Sequence, residues 1–235
     1  MNAPNWPAVL EREGSAFAAL LDPPALAVPV RSCPGWSLAD LARHLGGIHR
    51  WARHAILHGP SDEPEGPADD SAVRGWYEQG LEDLLRTLRS CDGELPCWTF
   101  ADPPMVRFWM RRQAHETTLH RWDAASSLGR AVTIPEPLAE DGIDEVLTMF
   151  LPRQVRLNRL PPGPELVELV CDSGRRLTLA TTGADTLRAP DATVSGTAES
   201  LLLLLWRRIA LTDPRLEVTG TRSTVEDVLL RPLTP

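Results

Sequence analysis

A chain of 235 residues, 43% hydrophobic and 24% charged, is long enough for one large domain or two modest ones and excludes both wholesale disorder and a coiled-coil rod. Its 24 basic and 32 acidic residues leave a net charge of −8, which argues against a sequence-independent nucleic-acid binder and against docking on anionic lipid. All the basic residues are arginine, so neither a lysine Schiff base nor a Walker-type lysine is available.

The first two-thirds of the chain reads as helices separated by proline-rich joints. Ala8 to Leu21 is an amphipathic segment stopped by Asp22-Pro23-Pro24. A second helix begins at Ser37, where Ser37-Leu38-Ala39-Asp40 is a capping-box variant with an acid at N3, and runs to His58 before Gly59-Pro60. The acidic, Pro/Gly-rich stretch Ser61 to Asp70 reads as a mobile surface loop. A third helix is expected over Ala72 to Ser90, a fourth over Val106 to Ser127, and a shorter one over Leu138 to Phe150.

After Pro161-Pro162-Gly163-Pro164 the periodicity changes. Glu165 to Val170 and Arg176 to Thr181 flank Asp172-Ser173-Gly174 as a hairpin would. A strand at Thr193-Val194, a helix over Ala198 to Ile209, a strand over Leu216 to Thr219 and a helix over Thr224 to Leu230 follow. The expected boundary lies near 155–164, giving a helical domain over 1–157 and a small α+β domain over 158–235, with no internal repeat.

Met1-Asn2-Ala3-Pro4-Asn5-Trp6 carries no secretory signature, and the apolar run Leu201 to Trp206 is far too short for a bilayer. Cys33, Cys91, Cys97 and Cys171 form no C-x-x-C pair, which fits scattered reduced thiols in a cytoplasmic protein; Cys33, ahead of Pro34-Gly35, reads as structural. Most of the eight tryptophans are expected in the core, and Arg111-Arg112 reads as a solvated pair, although Arg112 lies close to the Glu116 face.

The histidines carry the chemical signal. Four lie in the second helix (His44, His49, His54, His58) and two in the fourth (His115, His120), with none after. On a helical wheel, Leu41, Leu45, Ile48, Trp51 and Ala52 form the apolar stripe of the second helix. His44 falls on it, His49 at its edge, and His54 on the far side with Arg43 and Arg50. His44 is therefore the histidine expected to point inward. Glu116 and His120, at i and i+4, share a face with Trp109, Gln113 and Asp123. On a solvated face they would only stabilise the helix. Turned inward across from His44, they would offer two nitrogens and a carboxylate oxygen to one divalent metal, the set of a catalytic zinc, with Asp123 as a partner behind a ligand.

Ser32-Cys33-Pro34-Gly35-Trp36-Ser37-Leu38-Ala39-Asp40-Leu41-Ala42-Arg43-His44-Leu45 resembles the opening of the mycothiol-dependent maleylpyruvate isomerase family. Glu116-Thr117-Thr118-Leu119-His120-Arg121-Trp122-Asp123 resembles its second signature, and the tail from Thr193-Val194-Ser195-Gly196 to Val218-Thr219-Gly220 is similar to its C-terminal domain. The resemblance implies an α+β protein: a DinB-like four-helix bundle followed by a small sterol-carrier-protein-like domain. It also implies His44, Glu116 and His120 as metal ligands and Arg222 as a catalytic arginine. Mycothiol would be the thiol cosubstrate and a small electrophile the substrate, with no nucleic-acid or membrane partner. The implied reaction is thiolate addition to an electron-poor double bond, rotation and elimination, a cis–trans isomerisation. Release after addition or displacement would instead make the protein a mycothiol S-transferase, and a non-catalytic small-molecule binder or a thiol- or metal-sensing regulator remains open on the same fold.

Overall fold

The computed structural model describes residues 4–181 and 188–235. Two compact units emerge, Met1–Val132 and Thr133–Pro235. Together they make an α+β protein, a helical N-terminal unit followed by a unit carrying a small sheet.

The first unit is a bundle of α1 (Trp6–Ala18), α2 (Leu38–His58), α3 (Val73–Ser90) and α4 (Val106–Ser127). Each helix packs on two neighbours, in the cyclic order α1, α4, α2, α3. The start of α2 is the expected capping box: Ser37 Oγ accepts the Asp40 amide, and the Asp40 carboxylate accepts the Ser37 amide at 2.9 Å. Gly59, at φ +94°, ends the helix where a side chain would be strained.

The buried face of α2 is turned from the expected stripe. It runs through Leu38, Leu41, Ala42, Leu45, Gly46, His49, Ala52, Ala55 and Ile56. His49, not His44, sits at its centre and is wholly buried, while His44, Ile48 and Trp51 lie on its margin. Gly46 marks the reason. A Cβ on Gly46 would meet the Trp76 ring at 2.4 Å, so α3 comes closest along the Gly46 line rather than along Ile48. The tryptophans also depart from expectation. Only Trp109 of the eight is fully buried, and the others are partly buried.

The acidic loop is pinned, not free. The Trp51 indole N–H donates to the Ser61 carbonyl at 2.8 Å, and the Arg43 guanidinium donates to the Pro67 carbonyl at 2.7 Å and pairs with Asp70. The segment therefore lies as a strap along α2.

The second unit begins earlier than 158. Helix α5 (Glu136–Glu145), a π-helical turn (Val146–Phe150) and α6 (Leu151–Arg156) belong to it. The apolar face of α5, Leu138, Ala139 and Ile143, is buried and packs on α7 (Ala198–Leu205), while Glu140 and Asp144 pair with Arg175. The break falls at 132/133 because a proline-rich stretch marks where helices stop, not which partner they pack on. The sheet runs β2 (Arg176–Ala180), β1 (Leu166–Cys171), β3 (Ala192–Gly196), β4 (Leu216–Gly220). The expected hairpin β1–β2 is antiparallel and turns through Gly174 at φ +87°; β1 and β3 are parallel, and β3 and β4 antiparallel. Leu201 to Leu205 are all buried, a helix enclosed on every side, and α8 (Arg222–Leu230) closes the chain. Among the described residues no helix is long and apolar enough to cross a membrane, and all four cysteines are free thiols.

Candidate metal centre

Helices α2 and α4 bring His44, Glu116 and His120 together. Glu116 Oε1 lies 3.4 Å from His44 Nε2 and 3.1 Å from His120 Nε2, and one potential ligand atom of each residue lies within 4.8 Å of the others. The imidazole planes meet edge-on, centroids 5.3 Å apart, so both Nε2 atoms converge on one point.

Each of these groups is held from behind. His120 Nδ1 lies 3.0 Å from Asp123 Oδ2, and Ser32 Oγ donates to Asp123 Oδ1 at 2.6 Å. Asp123 can take the Nδ1–H of His120, so that when the proton on Nε2, shared with Glu116, is given up to a metal, the Nε2 lone pair faces the site. Arg112 Nη2 donates to Glu116 Oε2 at 2.6 Å. The Trp36 ring lies 5.0 Å from His44, and Glu63 Oε1 lies 3.6 Å from His44 Nδ1.

Electrostatics follow from burial and these partners. Burial alone would raise the Glu116 carboxyl, but Arg112, His120 and His44 outweigh it and hold the group ionised, well below the usual carboxylate range. Burial disfavours the His44 cation, yet Glu116 and Glu63 together raise its pKa to about 9. His120 moves up for the same reason, burial being overcome by Glu116 and Asp123. His49 goes the other way: burial lowers it to about 3. It stays neutral, its Nε2 3.0 Å from Thr117 Oγ1 and its Nδ1 without a hydrogen-bond partner among the described residues.

The remaining histidines are elsewhere. His115 is buried with its ring against Trp6, and His54 and His58 are exposed on α2 with their rings together. Arg222 opens α8 in the second unit, half-exposed and donating to Glu226 Oε1 at 2.9 Å. Arg112 is not the solvated residue expected from Arg111-Arg112 but is 3% exposed. Its i, i+4 spacing to Glu116 was the signal available. Cys33 is likewise more than a loop residue. Its sulfur lies with potential ligand atoms of His120 and Asp123, all within 4.8 Å of one another. Glu63 had no signal at all, being one acid among several in a Pro/Gly-rich stretch.

The family model described as the mycothiol maleylpyruvate isomerase N-terminal domain matches residues 8–125, and the MDMPI C-terminal domain matches residues 137–226. The chain belongs to the mycothiol-dependent maleylpyruvate isomerase family. Two solved structures agree with this fold: crystal structures of the mycothiol-dependent maleylpyruvate isomerase and of a histidine-to-alanine mutant of it. Identity to this chain is 15% and 14% respectively, and for both the TM-score is 0.63 with 86% of this chain and 88% of the other covered. No curated protein matches the sequence. The family's two domains correspond closely to the two compact units, with the gap between the matches spanning the 132/133 break.

The donor set suits a divalent ion. Two imidazole nitrogens and one carboxylate oxygen converge, each imidazole has a carboxylate behind its other nitrogen, and the second Glu116 oxygen is neutralised by Arg112.

Proposed function

We propose that this protein is a metal-dependent enzyme that uses mycothiol to isomerise a small electrophile across an electron-poor double bond. His44, Glu116 and His120 hold a divalent ion, zinc by donor type. The observation that carries the reading is the convergence of His44 Nε2 and His120 Nε2 on Glu116 Oε1, with Asp123 behind His120.

A divalent ion in this place supplies a Lewis acid that favours the ionised form of a thiol beside it, whose free pKa is about 8.5. The chain's own residues do the rest. Asp123 fixes the His120 tautomer, Ser32 fixes Asp123, and Arg112 keeps one Glu116 oxygen occupied so that the other faces the site. In the reaction the thiolate adds to the double bond and its electrons move into the adjoining carbonyl as an enolate. The resulting single bond rotates, and elimination restores the double bond and releases the thiolate. Arg222 is the arginine that the family resemblance offers for substrate carboxylates, and its exposed pairing with Glu226 is of the weak kind that a substrate carboxylate could replace.

The test is metal per chain by elemental mass spectrometry, on protein purified without added metal, for wild type and His120→Ala. About one equivalent of zinc, lost in the variant, is expected; no metal in either after incubation with zinc refutes the reading. Product analysis with mycothiol and maleylpyruvate then separates isomerisation from release of a thiol conjugate.

A further inference from the structure

His44 and His120 present the same nitrogen, Nε2, to Glu116, and each turns its Nδ1 toward a second carboxylate. For His120 that partner is the buried Asp123, on its own helix. For His44 it is Glu63, 19 residues downstream in the strap that follows α2, with Oε1 3.6 Å from Nδ1, an ion-pair distance just beyond a hydrogen bond.

Three features hold Glu63 there. Trp51 bonds the Ser61 carbonyl on one side, and Arg43 bonds the Pro67 and Ala68 carbonyls on the other, at 2.7 and 3.3 Å. Between these anchors the strap crosses α2 at Gly47. A Cβ there would stand 2.5 Å from Glu63 Oε1 and 3.1 Å from both Glu63 Cγ and the Pro64 carbonyl oxygen. A glycine in the middle of a helix costs stability relative to alanine, so Gly47 has no helical rationale. Its rationale is the close passage of the strap.

We propose that Glu63 is a positioning residue for His44: its carboxylate pairs with the Nδ1 side of the ring, favours the tautomer that leaves Nε2 facing Glu116, and so completes the metal site, with Gly47 as the notch that lets it do so. The proposal rests on the metal-site reading above. A carboxylate behind a ligating histidine typically contributes 10–100-fold in metal affinity, and the partial exposure of Glu63 places it at the lower end, about tenfold.

The test is Zn2+ affinity by chelator competition, with the melting of the metal-free protein followed in parallel. Glu63→Ala is expected to weaken zinc about tenfold. Glu63→Gln, which keeps an oxygen acceptor without the charge, is expected to weaken it less. Gly47→Ala alters no charge and by itself favours the helix, yet is expected to weaken zinc as Glu63→Ala does by displacing the carboxylate. The double variant is expected to lose no more than either single one. Melting of the metal-free Gly47→Ala protein is expected not to fall, which separates positioning from general damage. Wild-type affinity in Glu63→Ala, or losses that add in the double variant, overturns the role of Glu63 and leaves the metal site standing. A wild type that takes up no zinc, or a His44→Ala variant that binds it as well as wild type, overturns both.

Discussion

Arg112 Nη2 sits 2.6 Å from Glu116 Oε2, one turn away on the same helix, and the arginine is almost wholly enclosed by the bundle. The pair fixes where the carboxylate points and keeps it ionised. Removing the arginine strips Glu116 Oε2 of its charged donor and leaves the buried carboxylate to His44 and His120 on its other oxygen, which is costly even where replacing a whole buried pair with apolar residues is not. Arg112→Met is expected to lower the unfolding free energy of the metal-free protein by about 3 kcal/mol, measured by urea denaturation. A loss much below about 1 kcal/mol would mean that Glu116 is held ionised by His44 and His120 rather than by Arg112.

His49 predicts the acid behaviour. It is buried and neutral with its pKa lowered to about 3, against about 6.5 when unfolded. The unfolded chain therefore takes up a proton first as pH falls. The stability contributed is full above about pH 6.5 and is lost progressively toward pH 3, amounting to about 2 kcal/mol between pH 7 and pH 5. His49→Leu is expected to flatten this limb in denaturation curves recorded across that range. An unchanged limb assigns the acid sensitivity to other groups.

His44 has the opposite sign. Its pKa in the folded, metal-free protein is raised to about 9 by Glu116 and Glu63 against the effect of burial. Its contribution to stability is fully present below about pH 6.5 and is lost as pH rises through about 9. Zinc must displace that proton. Affinity is therefore expected to rise at least about tenfold per pH unit from pH 7 toward pH 9, more steeply if the raised His120 also gives up a proton, with proton release seen as a buffer-dependent binding enthalpy in calorimetry. A pH-independent affinity over this range would show that His44 is not displaced from its proton by the metal.

Much of the site was legible in one dimension because helix periodicity is local. The i, i+4 spacing of Glu116 and His120 places them on one face whatever surrounds them, and Asp123 follows one turn later. The capping box at Ser37 comes from side-chain chemistry at the helix end and the limits of α4 from the prolines before it and Gly129, at φ +67°, after it, and they stand as expected at Ser37–Asp40 and Val106–Ser127. The hairpin at Asp172-Ser173-Gly174 is local in the same way.

The orientation of α2, the domain break and the surroundings of the ligands required the tertiary structure. A wheel ranks hydrophobicity, whereas the buried face of α2 was decided by which residues let a neighbour approach, so glycine at 46 and alanine at 42 and 52 outweighed Ile48 and Trp51. Arginine at 112 and histidine at 49 look polar in sequence, but each is buried because another helix, or its own next turn, supplies a partner. Glu63 reaches His44 only because the strap is anchored at both ends and crosses α2 at a glycine. The sequence by itself determined the helices, the hairpin and the shared face of Glu116 and His120, since all of these depend on periodicity and nearest neighbours. The meeting of His44 with that pair spans two helices and was decided by packing. Only the tertiary structure decided which face of α2 is buried, where the two units part and which carboxylates stand behind the histidines, because these are long-range packing choices that no local pattern encodes.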